Sequence, residues 1–136
     1  MSRTSFVSKL RDQVVRPLIH SALVEHEIPD VMVHVVIGTE FESSLRDPTE
    51  PHWTYPDDGH EYVWAHAEYR LTNESAAWRL GRSEDLHDPS VLVQALWELG
   101  SRVEDWVCET SFAWGEQRHA RVPELGDLPE WLTTRP

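Results

Sequence analysis

Near the start of the chain, apolar residues recur at every fourth position: Phe6, Leu10, Val14 and Leu18, with Val7 beside them. That spacing lines one face of a helix and predicts helix over 4–27. Beyond Pro17 the stripe continues through Leu18, Ile19, Ala22, Leu23 and His26. Pro17 has no backbone N–H and crowds the turn before it, so the helix should kink near Pro17 or restart there. Pro29 marks its end.

Two later stretches alternate instead. Residues 31–42 place Val31, Val33, Val35 and Ile37 on one face and Met32, His34 and Val36 on the other. Both faces are mostly apolar, which predicts a central strand. Residues 61–71 place Val63, Ala65, Ala67, Tyr69 and Leu71 on one face. The other face carries Tyr62, Trp64, His66, Glu68 and Arg70 and is expected to be partly wet. Between these strands lies a long connection, 43–60, with Pro48, Pro51 and Pro56. Connections of this length that have no regular structure of their own are usually functional or mobile. Thr72-Asn73-Glu74-Ser75 reads as a turn, and 76–80 as a short third strand.

Helical spacing returns at Leu92, Leu96, Leu99, Val103, Trp106 and Thr110, with Val93, Trp97 and Val107 widening the stripe. Asp88 fits as the N-cap and Pro89 as the first helical residue. A last strand through Phe112 and Trp114 is one reading of 112–121. The segment 122–136 is a tail containing Pro123, Pro129 and Pro136. The fold class expected is α+β. It has an N-terminal helix kinked near Pro17, an antiparallel sheet of two to four strands, and a second long amphipathic helix on one sheet face. Residues 1–121 form the single domain, and 122–136 pack on it or on a neighbour.

Composition narrows the functional classes. The 136 residues carry 24 acidic and 12 basic side chains, for a formal charge of −12. That sign argues against binding nucleic-acid phosphates. No run of about 18 apolar residues predicts a membrane span. The first residues show no apolar core of the signal-peptide type, so a cytoplasmic protein is expected. The single cysteine, Cys108, excludes an internal disulfide and a cysteine-built zinc cage. Eleven of the twelve basic residues are Arg, a bias that suits GC-rich coding in a bacterium or phage.

Seven Trp residues stand out, because indoles are expensive to leave in water and common at binding hot spots. Most are expected in the core. No phosphate loop, dinucleotide fingerprint or nucleophile elbow is present. His66-Ala67-Glu68 resembles half of a zinc-deaminase signature, but the cysteine pair it requires is missing. His34, His66 and Glu68 could share a sheet face and are weak candidates for a metal site; no cofactor is expected.

The strongest candidate is the acidic connection. Residues 40–61 hold seven acids against Arg46 alone, together with Trp53 and Tyr55. Asp47, Glu50, Asp57 and Asp58 would steer a basic partner, with Trp53 and Tyr55 as anchors. Trp131 in the tail is a further protein-binding candidate. The function expected is that of a non-enzymatic protein-binding module, of inhibitor or immunity type, for a partner with a basic surface. The alternatives are a homo-oligomeric adaptor, secretion-chaperone-like or a phage virion component, and a metal-dependent enzyme or small-molecule binder using the open sheet face.

Overall fold

Ser2 opens the first helix, its hydroxyl accepting from the Ser5 amide at 3.1 Å. In the computed structural model, which describes residues 2–38 and 60–133, this helix is α1 (Arg3–Leu10) and runs straight into a π-helical turn over Arg11–Val15. There the Arg16 amide donates five residues back, to the Arg11 carbonyl. Helix α2 (Arg16–Ser21) follows, with Pro17 in its first turn. The irregularity expected at Pro17 therefore takes the form of a widened turn just before it, where the missing donor would otherwise leave a gap in the ladder. The helical stretch also stops earlier than the apolar spacing predicts. Residues 22–27 turn back, and the Glu27 carboxylate accepts from the Val24 amide at 2.9 Å.

Three strands form one antiparallel sheet in the order β1 (Val31–Gly38), β2 (Tyr62–Tyr69), β3 (Glu74–Arg82). Val31 pairs with Tyr69 and Gly38 with Tyr62; Tyr69 pairs with Glu74 and Tyr62 with Arg82. Strand β2 is thus the central one, and among the described residues β1 lies at an edge. The apolar outer face of β1, which alternation reads as that of a central strand, is covered in part from within the sheet. Val36 on that face packs with Tyr62 and Trp64 of β2, while Met32 stays exposed.

The register shifts between Val63 and Trp64, where Leu80 is the extra residue of β3. Gly81 follows the bulge at φ +153°, a conformation side chains disfavour, and a Cβ there would lie 3.4 Å from Leu86. Asn73, at φ 60°, makes the turn between β2 and β3.

Helix α3 (Pro89–Glu109) begins as expected. The Asp88 carboxylate accepts from the Ser90 amide at 3.0 Å, and Pro89 sits in the first turn. Its stripe of Leu92, Leu96, Leu99, Val103 and Val107 is fully buried, but Trp97 is not part of it. The helices cover one sheet face, that of Val33, Val35, Val63, Ala65, Ala67 and Trp78. Each fully buried Leu there contributes roughly 1.5–3 kcal/mol. This is the helices-on-one-face arrangement of an α+β domain.

After α3 no strand forms through Phe112 and Trp114. Phe112 instead turns in against Tyr69, ring centroids 4.3 Å apart, and Trp114 turns out. The chain then runs back along α3, where Val122 lies over Gly100. It ends in a 3₁₀ turn (Leu125–Asp127) and α4 (Glu130–Thr133), with Leu128 and Leu132 buried in the main core.

Candidate functional site

The sheet face turned away from the helices carries most of the chemistry expected of it. His34 and His66 are direct partners across β1 and β2, and their rings stack with centroids 5.6 Å apart. Glu68 follows two residues after His66 on the same face, opposite Met32. Among the described residues, no three His, Cys, Asp or Glu side chains group as a metal ion would require.

This face is drier than alternation predicts. Trp64 is 3% exposed and His66 is 2% exposed. Trp64 donates from Nε1 to the Gly38 carbonyl at 3.3 Å, and the Arg79 guanidinium lies 4.3 Å above the Tyr62 ring. Burial holds the His66 pKa below its ordinary value, and the neighbouring His34 adds to the effect against a smaller opposing pull from Glu68. His66 is therefore a neutral imidazole at pH 7.

Asp47, Glu50, Trp53, Tyr55, Asp57 and Asp58 lie outside the described residues. The chain leaves and re-enters the described structure at Gly38 and His60, both at the Tyr62 end of the sheet. Trp131 is half-buried. Its Nε1 donates to the Gln13 side chain at 2.8 Å, its ring meets Phe6 edge-on at 5.9 Å, and Lys9 lies 5.8 Å from its centroid. The indole thus joins the tail to α1.

At the opposite end, three segments come together. Arg118, from the segment after α3, reaches Glu27 with two bonds, Nη1 to Oε1 at 2.9 Å and Nη2 to Oε2 at 3.1 Å. Nη1 also donates to the Ala22 carbonyl, and Nη2 to Glu116. Glu27 is 1% exposed. Burial alone would raise its pKa, but the Arg118 bonds and the Val24 amide outweigh it and hold the carboxyl below its usual value. Glu74 accepts from the Ser111 amide and hydroxyl, which ties the β2–β3 turn to the end of α3. The Arg70 amide donates to the Asp30 carbonyl.

This end also displays apolar surface. Trp114 is 77% exposed and Leu71 is 68% exposed, with Val24 and Met32 less so. Alternation puts Leu71 on the buried face of its strand, and one reading of 112–121 puts Trp114 in a strand. The signals against this were short-range: Asn73 ends the β2 ladder before Leu71, and Gly115, at φ +72°, turns the chain at Trp114. Trp97, 66% exposed, stands on the outer side of α3.

Two clefts open elsewhere. One of about 330 Å³ lies at the Gly38 end between Phe6, Ile37, Glu61, Ser83, Glu84 and His87. Another, about 370 Å³, separates Pro17 and Leu18 from Val122 and Pro129 of the tail.

The molecule is thus a small acidic α+β domain with a dry histidine–aromatic sheet face and an apolar end. Comparison with protein-family models, curated proteins and solved structures finds no match. Among the described residues, no helix is long and apolar enough to cross a membrane.

Proposed function

We propose that the protein is an acidic, non-enzymatic binding module for a partner with a basic surface, of the inhibitor or immunity type and acting in the cytoplasm. One observation supports this above the others: on a chain of charge −12, the indole of Trp114 stands with most of its surface in water. Exposed indoles are costly and favoured at hot spots, and an acidic field speeds encounter with a basic protein. Native mass spectrometry of the untagged protein from its source cells tests the reading. The expected result is a one-to-one complex with a basic protein, dissociating as salt rises from roughly 0.05 to 0.5 M. A homo-oligomer alone would overturn it and favour an adaptor role. That second reading draws on the β3 edge, which among the described residues pairs only with β2.

A further inference from the structure

Exposed apolar residues are not scattered evenly over this molecule. Val24, Met32, Leu71 and Trp114 all belong to the end at which residues 22–32, 68–74 and 108–118 meet. That these segments share one end follows from bonds already described: Arg118 to Glu27, Ser111 to Glu74, and the Met32–Glu68 pairing. Single exposed apolar residues are ordinary on a protein surface, whereas several gathered within a charged rim mark a contact site.

The rim has a definite sign. These three segments hold seven acidic residues and only two basic ones, Arg70 and Arg118. Both basic groups are engaged within the molecule. Arg118 is held by Glu27 and Glu116, and Arg70 lies 3.7 Å from Asp30. The carboxylates of Glu25, Glu68 and Glu109 are left to set the field around the apolar residues. The same charge would set a second copy of this chain against itself at this end. A partner that buries Trp114 and Leu71 here must bring cations at its margin.

We infer that this end, centred on Trp114 and Leu71, is the docking surface for a basic amphipathic segment of a partner protein, with apolar side chains on Trp114 and Leu71 and Lys or Arg on the acidic rim. The inference rests on the acidic-module reading and adds where and how the partner is held. Trp114 has the size and amphipathic character of a hot-spot anchor, and long-range attraction supplies the approach.

The probe that tests it is a 14-residue Leu/Lys amphipathic peptide, LKKLLKLLKKLLKL, compared with a Lys/Gly peptide of similar charge. With isotope-labelled full-length protein, titration of the Leu/Lys peptide should move the indole N–H signal of Trp114 and leave that of Trp97 in place. Affinity should fall about tenfold or more in the Leu71→Ser/Trp114→Ser variant, as truncation of a hot spot does. A Trp97→Ser variant should bind as wild type does. Both sites are exposed, so the variants keep the core intact. Equal binding of the two peptides would overturn the apolar docking surface, because charge alone would then explain the contact. Binding of the Leu/Lys peptide that survives the double substitution, with the Trp114 signal unmoved, would overturn the surface and leave the acidic-module reading standing. Failure of the wild type to bind either peptide would remove both.

Discussion

His66 sits between strands with its ring stacked on His34 and almost no access to water. Burial, first, and His34, second, depress its pKa; burial also depresses that of His20, 46 residues earlier in the chain, on α2. For both, the sign follows directly. The folded state binds fewer protons than the unfolded chain, so their contribution to stability is complete above the unfolded value near 6.5 and is lost as pH falls below it. The melting temperature should therefore drop between pH 7.5 and 5.5, and His66→Phe should flatten that drop. A slope unchanged in the variant would assign the effect elsewhere. The two imidazoles were legible in the sequence as a face-sharing pair because strand alternation has a fixed period. Their dryness was not, because alternation says which way a residue points and nothing about what lies over it.

At the scale of elements, local signals were the most legible. Asp88-Pro89 gave the start of α3, and the Leu92-to-Val107 stripe gave its buried face. Legibility failed where tertiary contact decides the outcome. Trp97 falls at the margin of the stripe and was read as core, yet it faces water. Gly100 was not singled out at all, although the returning segment crosses α3 there. A Cβ at Gly100 would lie 2.5 Å from Val122 Cγ2. In an open helix, Gly→Ala stabilises by about 0.5–1 kcal/mol. Here overpacking should outweigh that gain and leave Gly100→Ala less stable by roughly 1–2 kcal/mol. Urea unfolding measures the sign, and limited proteolysis should cut residues 120–133 faster in the variant. A stabilised variant would show that the segment does not lie against α3.

On the scale of the whole molecule, the acidic excess opposes compaction as well as favouring a basic partner. Raising NaCl from about 0.01 to 0.15 M shortens the screening length from roughly 30 to 8 Å. The isolated protein should melt at a higher temperature as a result, whereas its complex with a basic partner should weaken. A melting temperature that falls with salt would mean that attractive ion pairs outweigh the net repulsion. The α+β class was legible because helix and strand periods differ clearly along this chain. The grouping of Val24, Met32, Leu71 and Trp114 was not, because it is assembled by contacts such as Glu27 to Arg118, distant in sequence.

That contact also bears on how the chain is made. Glu27 is synthesised 91 residues before the guanidinium that neutralises it. At roughly 5–20 residues per second, a ribosome leaves this carboxylate waiting several seconds for its partner. Burying Glu27 before then would leave its charge without the guanidinium that neutralises it, a state costing several kcal/mol. Final packing around Glu27 is therefore expected to follow release of the segment after α3 from the exit tunnel, not to precede it.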